Sequence, residues 1–177
     1  MGCRRIVTGH DSNANAIVVS DSQVPPIIVN AIPGLKNHEL WNTNKERTLP
    51  YDGTLPELNN YFPEKDGTIF RKIVFPSTPI GDSGIDFSPA SVEEINNKLP
   101  NALSHFDPEA PGMHTTESID YGIVLDGEIE LELSKGQRTL LKAGDVVVQN
   151  GTRHAWRNHS GKPATVFFIL LGARVNE

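Results

Sequence analysis

The chain has 177 residues, enough for one domain with one substantial core, and a formal charge of −6 with no basic run. That balance argues against nucleic acid or an anionic membrane surface as a partner. A single cysteine, Cys3, excludes an internal disulfide framework, no apolar run approaches a membrane span and the N-terminus lacks a secretory apolar core, so a cytoplasmic protein is expected.

The predicted elements begin with two β-prone runs, Arg4 to Thr8 and Ala16 to Ser20, joined by the turn formers Gly9 to Asn13; they read as a hairpin. Prolines bracket Ile27 to Ala31, which suits an edge strand or an extended linker. His38 to Asn42 reads as a strand that places Trp41 against the core. Thr48 to Asp66 has several prolines and no period, so a surface loop covering one end of the fold is expected. Thr68 to Phe75 is a strand with Ile69, Arg71, Ile73 and Phe75 on one face; Arg71 must therefore pair inside or reach the rim. Pro76 to Pro89 is a second loop. Ser91-Val92-Glu93-Glu94 reads as a capping box, with Val92, Ile95 and Leu99 at helical spacing before Pro100.

From Tyr121 the pattern turns to short strands. Tyr121 to Leu125 ends at Asp126-Gly127, the dipeptide that favours a two-residue hairpin. Glu128 to Leu133 alternates strictly, with an apolar face and a face of three carboxylates. Turns at Ser134 to Gln137, Ala143 to Asp145 and Asn150-Gly151 separate the strands that follow, Val146 to Val148 and Arg153 to Arg157. Ala164 to Leu171 is apolar without alternation, which implies cover on both faces, and a second subunit is the simplest cover for the outer one. Short strands at this spacing predict an all-β sandwich or barrel. His114 and Thr116 share a face, Asp120 continues that parity, and His154, Trp156 and Asn158 share a face on the returning strand.

These residues carry a resemblance. Gly112, His114, Asp120 and Gly127, followed by Gly144-Asp145, Gly151, His154 and Asn158, resemble the paired motifs of the cupins, small jelly-roll barrels that hold a metal between the two motifs. In that likeness His114 matches the first histidine, Asp120 replaces a glutamate, His154 matches the last histidine, and Thr116 stands where a second histidine belongs. The resemblance implies a single cupin jelly-roll barrel with an N-terminal strand extension and one short helix. Residues 1–105 would form the flanking part and 106–177 the core motifs, with a homodimer as the assembly. Thr8-Gly9-His10-Asp11 is similar to the opening of small single-cupin proteins, some of them among biosynthetic enzymes for polyketides and other secondary metabolites. That favours a small, largely apolar organic substrate, an organic acid or a polyketide-like molecule.

Two chemistries stay open. His114, Asp120 and His154 can hold one divalent metal (Fe, Zn, Mn or Ni), or they can form a metal-free pocket in which imidazole and carboxylate move protons. The expected substrate-binding residues are Thr116, Trp156, Tyr121 and Asn158. A lyase or isomerase (dehydration, decarboxylation or a proton shift beside a carbonyl) is the leading reading, with an iron dioxygenase and a non-catalytic ligand binder as alternatives. His10, His38, His105 and His159 fit no ligand spacing and are expected to be exposed or satisfied polar residues.

Overall fold

The computed structural model describes residues 2–43, 48–78 and 86–175. The expected N-terminal hairpin is present and longer than its β-prone runs: β1 (Cys3–His10) pairs antiparallel with β2 (Ala16–Val24). Asp11 closes its loop by accepting hydrogen bonds from the backbone of Asn13 and Asn15. Ile27 to Ala31 forms no strand and makes one bridge, Ile27 to Asn37; the prolines on either side remove the donors a longer ladder needs.

Two sheets face each other. Five strands run in the order β3 (Lys36–Thr43), β4 (Thr68–Phe75), β10 (Ala164–Gly172), β5 (Ser118–Asp126) and β8 (Val146–Asn150). Three more run in the order β7 (Arg138–Lys142), β6 (Glu128–Leu133) and β9 (His154–Arg157). The core lies between them, with Ile73, Val166 and Leu170 from the first sheet against Ile129, Leu131 and Trp156 from the second. This is a jelly-roll sandwich of two hydrogen-bonded sheets, the architecture the strand spacing predicts.

The turns do something other than the sequence reading expects. Asp126-Gly127 closes no hairpin, because β5 and β6 lie in different sheets. Gly127 (φ +77°) passes the chain across the core edge, and a Cβ there would lie 2.7 Å from the Pro163 carbonyl oxygen. Ala143 to Asp145 and Asn150-Gly151 are also sheet-to-sheet crossings, while Ser134–Gly136 joins the true hairpin β6–β7. Two of the three β6 carboxylates pair outside the core, Glu130 with Arg138 and His159 and Glu132 with Arg138 and Arg157.

A bulge between Glu39 and Trp41 shifts the parity of β3, so Leu40 is buried and Trp41 is half-buried, edge-on to Tyr51. The loop from Thr48 is not wholly at the surface, because Tyr61 and Phe62 turn in and are buried. The helix α1 (Pro89–Lys98) starts ahead of the expected box. Ser88 is its N-cap and accepts from the Ser91 backbone, Pro89 occupies the first turn, and the Ser91 hydroxyl donates to Asp86 instead. Ile95 and Leu99 are the helical positions that reach the core. Residues 79–85 of the second loop lie outside the described residues.

Candidate functional site

The site is built on a backbone bridge. His114 and His154 exchange both backbone hydrogen bonds, at 2.9 and 3.0 Å, outside any long ladder. Residues directly opposite in an antiparallel pair project to the same side. Their imidazoles accordingly lie with ring centroids 4.2 Å apart. Phe106 stacks on His114 at 4.8 Å, and Trp156, two residues along β9, stands edge-on to His154 at 5.9 Å.

Each ring is fixed by its own backbone. Nδ1 of His114 lies 3.0 Å from the Gly112 carbonyl oxygen, and Nδ1 of His154 lies 2.8 Å from that of Thr152. A carbonyl only accepts, so Nδ1 carries the proton in both rings and Nε2 keeps its lone pair. Desolvation, followed by the neighbouring His154, pushes His114 down to about 3, and desolvation also lowers His154. Both imidazoles are neutral at physiological pH.

Asp120 reaches the same cavity from β5 in the facing sheet. Ser118 donates to it at 2.6 Å. Burial raises its carboxyl to about 6, against the ionising pull of Ser118, Arg71 and the nearby Thr116 hydroxyl. The cavity holds about 140 Å³, similar to an apolar cavity of roughly 150 Å³ that takes up benzene. Phe62, Phe75, Leu99, Trp156 and Phe168 supply apolar wall, and exposed Phe87, Pro108 and Pro111 mark its mouth. Gly122 forms part of the floor, where a Cβ would lie 2.7 Å from Val147 and 3.3 Å from Phe168.

Of the expected site residues, the fold brings His114, Asp120, His154 and Trp156 to one cavity. Tyr121 is not there. It alternates with Asp120 along β5 and is exposed on the outer face of the sheet. Asn158 is buried but structural: its amide donates to the carbonyls of Pro76 and Lys162, and its oxygen accepts from Ser160. Thr116 is buried beside Asp120 and is not part of the cavity wall. Phe167 packs on Phe70 on the outer face, while Phe168 points in. His38 and His105 hydrogen-bond to backbone carbonyls, His159 meets Glu130, and His10 is exposed.

Sequence reasoning missed Phe62, Phe106, Gly122 and Gln149 as parts of the wall and left Arg71 undecided. The signal available for Phe62 is the adjacent aromatic pair Tyr61-Phe62 within a proline-rich loop.

The metal reading meets a geometric obstacle. Among the described residues, no group of three or more His, Cys, Asp or Glu side chains is placed to hold a metal ion. Two imidazole nitrogens converge, but Asp120 projects from the opposite sheet and is held by Ser118. The three residues therefore do not fit the facial set that the resemblance implies.

A jelly roll with paired inward histidines on an apolar cavity defines the class of fold and site. The comparisons make that class specific. Residues 102–170 match the Cupin domain family. Phomopsin biosynthesis cluster protein C' of Diaporthe leptostromiformis is 37% identical over 173 residues, which is 96% of this chain and 78% of that protein. Oryzines biosynthesis cluster protein J of Aspergillus oryzae is 46% identical over 65 residues, 36% of each chain. The cupin-domain-containing oxidoreductase virC of Hypocrea virens is 38% identical over 65 residues, 35% of this chain and 34% of its own. The chain belongs to the cupin family, and relatives that match it are named as biosynthesis cluster proteins. Among the described residues no helix is long and apolar enough to cross a membrane.

Proposed function

We propose that the protein is a biosynthetic lyase or isomerase that moves a proton beside a carbonyl in a small, largely apolar organic molecule. The observation that carries this reading is the imidazole pair. Both Nδ1 atoms are tied to backbone carbonyls, which leaves two Nε2 lone pairs on one apolar cavity. Each neutral imidazole has a lone pair free to take the proton, and burial, which weakens both rings as bases, makes the protonated ring a strong acid that returns the proton to another atom. Asp120 is the second proton acceptor of the cavity, and the apolar walls keep competing water out.

The test is hydrogen exchange at carbon. Single-ring ketones are incubated in deuterated water and the label next to the carbonyl is followed by NMR. The native protein should exchange faster than His154→Gln and His114→Gln by roughly 10²- to 10⁴-fold, the usual contribution of a positioned base. Equal rates in all three would overturn the reading.

The names of several relatives favour a second reading, an oxidoreductase. Two neighbouring Nε2 atoms are half of a usual ligand set. Metal content of protein purified without chelator, with oxygen uptake, separates the two: stoichiometric iron with uptake selects the oxidoreductase.

A further inference from the structure

Arg71 is 2% exposed and lines the same cavity as the two histidines. Its Nε lies 3.2 Å from Glu39 Oε1, Nη2 donates to the Tyr61 carbonyl, and its guanidinium lies 3.8 Å over the Tyr61 ring. Only the Nη2 contact is a hydrogen bond: Nε, although near the Glu39 carboxylate, has no hydrogen-bond partner among the described residues, so most of the five-donor fork is unused. A buried ion pair is a poor way to stabilise a core, because apolar residues of similar volume do as well or better. Unused donors on a buried cation cost more still. A ligand that accepts from the guanidinium would remove that cost.

The charges around the cavity decide what kind of acceptor it is. Arg71 is matched by Glu39, and Asp107 is matched by Arg153 at 2.6 Å. Asp120 is the remaining carboxyl of the wall, so the cavity's own balance is neutral or negative. A carboxylate ligand would add a full charge to that balance in an apolar space. A neutral carbonyl adds none, yet develops negative charge on oxygen when its neighbouring C–H loses a proton. A fixed guanidinium gains most at that moment.

We propose that Arg71 binds the carbonyl oxygen of the substrate and stabilises its enolate, which makes the substrate a neutral, single-ring-sized carbonyl compound and not a carboxylate. The inference deepens the proton-transfer reading and rests on it for the chemistry. The C–H pair moves into a C=C bond, the carbonyl π pair moves to oxygen beside Arg71, and the proton goes to an imidazole Nε2. In a carbonyl compound whose enolate is conjugated with a further C=C, return of that proton to the far end of the conjugated system shifts the double bond and completes the isomerisation.

The test uses binding, so that it does not depend on turnover. 4-Nitrophenol is the probe, a phenol whose anion is yellow and mimics an enolate oxygen. Bound to the native protein it should ionise at lower pH than when bound to Arg71→Met/Glu39→Gln, a double variant that removes both charges and leaves neither buried alone. The difference in bound ionisation constant should be at least about tenfold. Arg71→Lys, which keeps the charge and loses the fork, should lie between them, and circular dichroism confirms that each variant is folded. Acetophenone should bind the native protein more tightly than benzoate. Equal ionisation in the native and double-variant proteins, or tighter benzoate binding, overturns the assignment. Arg71-dependent ionisation without carbon exchange by the native protein would sustain the oxyanion site and remove the proton-transfer reading instead.

Discussion

At the residue scale, groups of opposite pH behaviour line one cavity. Asp120 is raised from 3.8 to about 6, so its folded form binds a proton more readily than the unfolded chain. The ionised carboxylate therefore opposes folding fully above about pH 6, and that opposition fades as pH falls from 6 toward 3.8. His114 is lowered from 6.5 to about 3, so its contribution favours the fold above 6.5 and is lost as pH falls toward 3. Asp120→Asn removes the first effect and leaves the second. It should raise stability most at pH 8, by on the order of 3 kcal/mol and seen as a higher melting temperature, with the gap over the native protein closing by pH 4. Scanning calorimetry across that range checks it, and a constant gap would contradict the burial argument. Trp156→Ala should cost about 3–5 kcal/mol in denaturant titration, because the ring packs on Phe168 at 5.2 Å and its loss enlarges an existing cavity. A loss below about 1 kcal/mol would mean that the indole is not the wall described.

At the element scale, the turns organise the site more than the strands do. β5 and β9 lie in facing sheets, and Asp120 lines the same cavity as the histidines only because the chain changes sheet at Gly127, Gly144 and Gly151. Gly127 is the most constrained of these for lack of space. An alanine there would be strained at φ +77° and would collide with Pro163 and Ala164. Gly127→Ala should lower stability by about 2 kcal/mol or more in urea unfolding and reduce ligand uptake in the same variant. Gly144→Ala keeps only the backbone strain, since no atom lies within 4 Å of its Cβ position, and should cost less. Equal losses at the two positions would remove the crowding argument.

At the scale of the whole molecule, the outer face of the five-stranded sheet is unusually apolar. Register places Phe70, Ile169, Tyr121 and Val148 in one row across four strands, and Ile123 beside Val146 in the next, each 36–68% exposed. Contiguous apolar surface of more than a few hundred Å² marks an interface. We propose a second copy of the chain as its cover, an isologous contact that also accounts for the missing alternation in β10. Light scattering after size exclusion should give twice the chain mass. Tyr121→Glu with Val148→Lys should shift it toward the single-chain mass while leaving the circular dichroism unchanged; a monomeric native protein would dismiss the contact.

What the sequence by itself determined is local. Alternation gave β4, β6 and the inward parity of His114, Asp120, His154 and Trp156, because the side-chain period of a strand is a property of the backbone. The paired motifs carried the jelly roll and the family. What only the tertiary structure decided depends on which strands pair. Asp126-Gly127 reads as a hairpin locally, yet β6 finds β7 and β9 as partners, so the same dipeptide becomes a crossing between sheets. A bulge in β3 sends Leu40 inward in place of Trp41. Tyr121 and Asn158 were chemically plausible in the cavity, but parity on a paired strand turns one to the outside and the Pro76 and Lys162 carbonyls claim the other. Arg71 could point either way until the Glu39 carboxylate and the Tyr61 carbonyl held it at the cavity wall, and residues far apart in sequence meet there only through the packing of the folded chain.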